Sequence, residues 1–148
     1  MPNSQLSRDR IRPGTVIYHR DFEGFAETKD RYFIVIAATP TDFVCFTTST
    51  SSKVFTNPKL RHNVTDIIPT SRECFRKPCF VDCRELHYFD DIVMSSFLNS
   101  GKVTIEGVLS TATVAAIYVT VRSSLALNNR EKDLVSSALK GLLKNHEP

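Results

Sequence analysis

One continuous apolar run, Tyr32–Ala38, constrains the fold of this chain most strongly. The run reads YFIVIAA, and it is bounded by Arg31 before it and by Thr39-Pro40 after it. A strand with one solvated face alternates apolar and polar residues, whereas this run has no polar break. We therefore predict that Tyr32–Ala38 forms a buried strand at the centre of a sheet.

Shorter segments before and after this run predict further strands, because they are rich in branched and aromatic residues and are bounded by turn residues. We expect these strands at Thr15–Tyr18, Phe43–Thr47, Phe80–Leu86 and Lys102–Val108. The polar segment His19–Asp30 is interpreted as an exposed loop or hairpin tip. Residues 50–78 are irregular, and within them only short pieces such as Val64–Ile68 could pair as strands.

Helical periodicity is found towards the end of the chain. Ser110 precedes a run with helical spacing, which predicts a buried face formed by Val114, Ile117, Tyr118, Val121 and Leu125. A second helix is predicted over Arg130–Leu143, and a short one near Ile92–Leu98. Strands followed by terminal helices indicate a small α+β fold, a partly closed and largely antiparallel barrel. We expect residues 11–148 to form one domain, preceded by a mobile arm over residues 1–10.

The sequence argues against a membrane protein or an exported one. The longest uncharged apolar stretch, Val108–Val121, is too short and too polar to span a bilayer. The N-terminal residues MPNSQLSRDRIRPG lack the apolar centre of a secretory signal. We therefore expect a cytoplasmic protein whose cysteines are not joined in disulfides.

Three potential metal ligands, Cys79, Cys83 and His87, recur at every fourth residue. This spacing would align them on a helix, whereas the segment CFVDC is interpreted as a strand whose alternate side chains face the core. A structural zinc site also needs a fourth ligand at a tight spacing. We therefore expect no metal and no other cofactor.

The formal net charge of +3 is unevenly distributed along the chain. Residues 50–78 carry six basic and two acidic side chains, so their net charge of +4 exceeds that of the whole chain. Phe55, His62 and Phe75 lie among them. Basic loops with aromatic side chains can bind single-stranded RNA, because cations pair with phosphates and bases stack on rings. The alternative is a solvated loop whose charges merely keep it soluble.

An ordered succession of short motifs goes beyond composition. The motifs are Arg12-Pro13-Gly14 before the first strand, Thr28–Arg31 before the apolar run, Val44–Ser49, Phe80–Arg84, and Gly107–Ser110 before a helix. In this order and spacing, about residues 11–127 resemble the MazF/PemK-type toxin family, whose pattern is PG, then RP, then TS, then G-x-L-S. The chain departs from that pattern at Tyr32, where the family has proline, and at Thr15, where an acidic residue is common; residues 50–78 are also longer than the usual connection.

The resemblance implies an SH3-like barrel and a toxin of a type II toxin-antitoxin system. Such a toxin is an endoribonuclease that cleaves single-stranded RNA without a metal, works as a homodimer and is inhibited by a cognate antitoxin. By the same resemblance, Arg31 and Thr48 match the family's catalytic positions: Arg31 opens the second strand, and Thr48 belongs to the TS that ends the third. Contacts to RNA are expected from Lys29, Thr47, Ser49, Lys53 and His62.

The chemistry of RNA cleavage agrees with these residue types. Without a metal, the 2′-hydroxyl attacks the phosphorus, so the enzyme must remove a proton and stabilise a negatively charged phosphorane. Arg31 suits the charge, because a guanidinium offers a planar fork to two phosphate oxygens, and the Thr48 hydroxyl can hydrogen-bond one of them. An antiparallel hairpin would bring both to the same edge of the sheet. The alternative is that Arg31 is a charge flanking a strand and Thr48 an ordinary strand residue.

Histidines are the other candidate acids or bases, because imidazole titrates near neutral pH. His62, in the basic segment, and His19 are the first candidates, although both are expected to be surface residues; His87 and His146 have weaker claims. Two further functions stay open at this point. One is an SH3-like module that binds RNA or protein without cleaving it. The other is a toxin that acts by protein contact, as gyrase-poisoning relatives of the family do.

Overall fold

The computed structural model describes residues 3–23, 28–49, 63–67 and 79–145 of the 148. Within these ranges the strands are β1 (Thr15–Phe22), β2 (Lys29–Ala38), β3 (Asp42–Ser49), β4 (Val64–Ile67), β5 (Cys79–Asp90) and β6 (Val103–Val108). The helices are α1 (Gln5–Arg10), α2 (Asp91–Ser100), α3 (Thr111–Arg122) and α4 (Asn129–Asn145). The predicted α+β class is confirmed, and so are the three predicted helices.

The strands form one antiparallel sheet in the order β4-β5-β3-β2-β1-β6. The apolar run lies in β2, between β1 and β3, and residues 33–37 are buried, so the predicted central strand is confirmed. The predicted barrel is not closed in the described part of the chain, because the outer strands β4 and β6 pair only with β5 and β1.

Helices cover both faces of the sheet, and this explains why it is open. On one face, α1 and α2 enclose a core of Ile11, Ile17, Phe33, Val35, Phe43, Cys45, Met94, Leu98 and Val103. On the other face, α3 and α4 pack on residues such as Ile34, Ile36, Phe46, Val81 and Cys83. We call these the α1–α2 face and the α3–α4 face. A barrel has a single interior, whereas this sheet is the middle layer of three.

Residues 5–10 of the expected mobile arm form α1, which packs against α2. Ser7 is buried, and its hydroxyl donates a hydrogen bond to the carbonyl of Asp91 over 2.7 Å. The Arg8 guanidinium pairs with the Asp91 carboxylate over 2.8 Å and donates to the carbonyl of Thr39 over 2.6 Å. The polar side chains that suggested a free arm are the ones that attach it to the domain.

The helix after Ser110 begins as predicted and ends earlier. The Ser110 hydroxyl accepts a hydrogen bond from the backbone of Thr113 over 3.2 Å, which is the expected N-cap. Leu125 was predicted on the buried face, but it lies beyond the end of α3 and is 90% exposed. The backbone N–H of Leu125 donates to the side chain of Asn63, which holds a turn where the periodicity suggested another helical turn.

Candidate functional site

An open pocket of about 420 Å³ lies beside the core on the α1–α2 face. We call it the β5 pocket, since most of the described residues that line it belong to β5. They are Asp82, Arg84, Glu85 and His87, and Thr47 of β3 also lines it. Its lining thus combines two carboxylates, a guanidinium, an imidazole and a hydroxyl.

A large bulge in β5 shapes this pocket. Thr47 pairs with Asp82 and Cys45 pairs with His87, so the residues between Asp82 and His87 lie opposite the single β3 residue between Thr47 and Cys45. A bulge bends its strand and re-aims side chains, and bulges are common next to active sites. In this one, the two exposed side chains of the bulge line the pocket.

Arg84 is held in place by Asp82. Its Nε lies 2.9 Å from Oδ1 of the carboxylate and its Nη2 lies 2.7 Å from Oδ2, so the pair is bidentate. The backbone N–H of Arg84 also donates to Oδ1, over 3.1 Å. A guanidinium fixed in this manner presents its plane in a defined orientation at the pocket wall.

His87 lies between the aromatic core and the pocket. Its ring centroid is 5.6 Å from that of Phe33 and 6.4 Å from that of Phe22. Burial lowers the pKa of His87 below its usual value, and the charge of Arg31 lowers it further, while Glu85 and Asp82 act in the opposite direction. The imidazole is therefore neutral at pH 7, which is the state that accepts a proton.

Arg31 and Thr47 lie on the same face as His87. Phe33 of β2 pairs with Thr47 of β3, and residues two apart in a strand share a face, so Arg31, Phe33 and Thr47 share one. The influence of Arg31 on the pKa of His87 agrees with this placement. The Thr47 hydroxyl donates to the carbonyl of Tyr32 over 3.3 Å. The sheet thus brings a cation, a hydroxyl and an imidazole to the same face, and the hydroxyl and the imidazole line the pocket.

Thr48 lies on the opposite face from Arg31. It follows Thr47 directly and pairs with Val81, which belongs to the core of the α3–α4 face. The two predicted catalytic residues are at the same end of the β2–β3 hairpin, but the thickness of the sheet separates their side chains. The hairpin alone predicts where along the strands the two residues lie. It does not predict which face each side chain is on, because successive residues of a strand point to opposite faces.

The other residues predicted to contact RNA are Lys29, Ser49, Lys53 and His62. Lys29 is exposed at the start of β2, where it pairs with Phe22, and Ser49 ends β3 opposite Phe80. Lys53 and His62 lie outside the described residues, as does most of the basic segment 50–78.

His19 was predicted at the surface, and the structure corrects this. It is only 3% exposed, because β1 continues past its predicted end at Tyr18. Its ring lies 5.2 Å from that of Phe22 and 5.3 Å from that of Phe97, and its Nδ1 donates to the carbonyl of Arg20 over 2.9 Å. Burial lowers the pKa of His19, so this histidine is a neutral member of the core.

We expect the burial of His19 to make stability depend on pH. Its pKa is lower in the folded state than in the unfolded state, so below about pH 6.5 the unfolded state binds the proton first and the free energy of unfolding falls. In His19→Phe, the fall between pH 7 and pH 5 should be shallower than in the wild type. Urea unfolding at a series of pH values measures it. His87 contributes with the same sign, so some slope remains; equal slopes in both proteins would contradict the prediction.

The strand interpretation of Cys79, Cys83 and His87 is confirmed. Cys79 and Cys83 are buried in the core of the α3–α4 face, whereas His87 contacts the rings of the other face. Burial raises the pKa of the Cys83 thiol to about 12. These three side chains therefore do not converge on one point.

From the sequence alone, Arg84 and Glu85 have no predicted role, and His87 has a weaker claim than His62. The sequence contains a signal, because apolar residues alternate with polar ones at Val81 and Cys83 and then skip to Leu86. A break in strand alternation across consecutive polar residues is what a bulge produces. This break indicates a segment, ending at His87, whose side chains depart from the regular alternation of the strand.

No protein-family model, no curated protein and no solved structure matches this chain. In addition, none of the helices in the described ranges is long and apolar enough to cross a membrane. The site is therefore interpreted from the chemistry of its own residues.

Proposed function

We propose that this protein is an endoribonuclease that cleaves single-stranded RNA without a metal ion and acts in the cytoplasm as the toxin of a type II toxin-antitoxin system. The observation that supports this best is the arrangement of Arg31, Thr47 and His87 on one face of the sheet, beside the open β5 pocket. A cation, a hydroxyl and a neutral imidazole are the groups that the reaction needs.

His87 acts as the general base in this proposal. Its neutral imidazole takes the proton of the 2′-hydroxyl, and the 2′-oxygen attacks the adjacent phosphorus. The bond from phosphorus to the 5′-oxygen breaks, leaving a 2′,3′-cyclic phosphate and a 5′-hydroxyl that takes up the proton. Arg31 stabilises the charge of the phosphorane, and Thr47 exchanges its bond to a backbone carbonyl for one to a phosphate oxygen.

The partners implied by the resemblance belong to the same proposal. They are single-stranded RNA, a cognate antitoxin and a second copy of the chain. Lys29, Ser49, Lys53 and His62 would contact RNA, with the excess positive charge of residues 50–78 attracting its phosphates. The open sheet would then be a variant of the family's SH3-like barrel whose outer strands β4 and β6 are not joined.

One observation favours a second candidate, a module that binds RNA or protein without cleaving it. Thr48 matches a catalytic position of the family, yet it lies across the sheet from Arg31. If catalysis requires that pair, this chain cannot assemble it, and the pocket would then serve recognition alone.

Two matched variants test the proposed site. Thr47→Val and Thr48→Val each remove one hydroxyl and keep a branched side chain at neighbouring positions of β3. We expect the wild type to cleave a long single-stranded RNA in EDTA, Thr47→Val to be about tenfold slower, and Thr48→Val to match the wild type. Cleavage rates are compared between purified variants whose melting temperatures match that of the wild type.

The alternatives give different results in the same experiment. Loss of cleavage in Thr48→Val alone would favour the family's pairing over the β5 pocket. Binding of RNA without cleavage by the wild type would favour the binding module. Growth arrest on expression would support a toxin, whichever of RNA cleavage and protein contact causes it.

A further inference from the structure

The β5 pocket contains more negative charge than a site for RNA is expected to have. Asp82 is neutralised by its bidentate pair with Arg84. Glu85 is exposed, lines the pocket, and forms no hydrogen bond or ion pair with any residue in the described ranges. A carboxylate repels the phosphates of RNA, so its presence in such a pocket needs a compensating contact with some other part of the substrate.

The nucleobases differ in what they offer a carboxylate, which can only accept hydrogen bonds. Guanine has two adjacent donors, N1–H and the 2-amino group, which match the two oxygens of one carboxylate. Adenine and cytosine place an acceptor nitrogen beside their amino group, and uracil has one N–H between two carbonyl oxygens. Guanine also carries O6 next to N1, and arginine is a common donor to O6.

We propose that the β5 pocket binds a guanine base, with Glu85 accepting from N1–H and the 2-amino group and Arg84 donating to O6. Asp82 acts as a positioning residue that fixes the plane of Arg84. A volume of about 420 Å³ is within the range of pockets that hold small ligands.

The inference rests on the proposed function, which it deepens by naming the preferred substrate. Glu85 and His87 line the same pocket, so the base in the pocket belongs to the nucleotide whose 2′-hydroxyl faces His87. Cleavage therefore follows guanosine, and the product ends in guanosine 2′,3′-cyclic phosphate. Guanosine 3′-monophosphate is the stable ligand that resembles this product.

Binding of the four nucleoside 3′-monophosphates tests the inference without requiring cleavage. We expect the full-length wild type to bind the guanosine compound roughly tenfold more tightly than the other three. Glu85→Gln should lose this preference, because an amide presents one acceptor and one donor. The matched control is Glu106→Gln, an identical change at an exposed residue of β6, and it should bind like the wild type. Titration calorimetry gives the four affinities for each protein.

Equal affinities for the four nucleotides in the wild type would overturn the inference, as would an unchanged preference in Glu85→Gln. Cleavage of RNA oligonucleotides that contain a single G, A or C within oligouridine separates the inference from the proposed function. Cleavage without preference for G overturns the guanine pocket and leaves the nuclease. Selective binding of the guanosine compound without any cleavage supports the guanine pocket and overturns the nuclease.

Discussion

Replacement of His87 by alanine is expected to slow RNA cleavage by about 100-fold to 10,000-fold, the usual contribution of a general base. Burial and the charge of Arg31 lower the pKa of His87, and the imidazole lines the β5 pocket together with Thr47. Single-turnover cleavage of a labelled oligonucleotide in EDTA measures the rate. His19→Phe is the matched control, since His19 is buried in the aromatic core and should affect stability more than chemistry.

The pH profile distinguishes a general base from a residue that only supports the fold. The cleavage rate of the wild type should rise with pH and level off with a midpoint below about 6.5, because the pKa of His87 is lowered. Arg31→Met removes a charge that lowers this pKa, so the midpoint of its residual activity should move to higher pH. A wild-type rate that is independent of pH between 5 and 8, or His87→Ala with full activity, would contradict the role of His87.

Replacement of Phe33 by alanine is expected to lower the free energy of unfolding by about 3 to 5 kcal/mol. Phe33 is fully buried in β2, and its ring lies 4.9 Å from that of Phe22 and 5.0 Å from that of Phe89. Truncation leaves a cavity in the middle of these rings, which the rigid sheet cannot fill.

Urea denaturation with linear extrapolation measures the change. Tyr88→Ala on β5 is the control, because Tyr88 is 52% exposed and its loss should alter stability by no more than about 0.5 kcal/mol. A loss below about 1 kcal/mol for Phe33→Ala would show that the aromatic core adapts to truncation and does not require this ring.

The layered core was predictable because its signals are local. The uninterrupted apolar run specified β2 as a central strand, and helical spacing located α3 and α4. Closure of the sheet was not predictable in the same way, since it depends on whether the outer strands meet, and nothing within one strand records that.

The candidate site was only partly predictable. Arg31 directly precedes the apolar run, so the sequence alone could indicate it. A role for His87 in the site depends on a bulge that exists only once β5 pairs with β3. The motif that indicated Thr48 gives a position along the chain and no side of the sheet, so it could not show that Thr47 is the residue sharing a face with Arg31. His19 was placed outside the core because its polar neighbours resemble a loop, although tertiary packing keeps β1 extended as far as Phe22.

The attachment of α1 to α2 has a practical consequence for work on this protein. Leu6 and Ile11 contribute to the same core that supports His19 and Phe33, and the Arg8 guanidinium lies 4.7 Å from the centre of the Phe43 ring. We expect that core to be exposed to solvent if the first ten residues are deleted or if a bulky tag is fused close to Ser7. Activity measured on a chain shortened in this way would therefore report on a damaged domain.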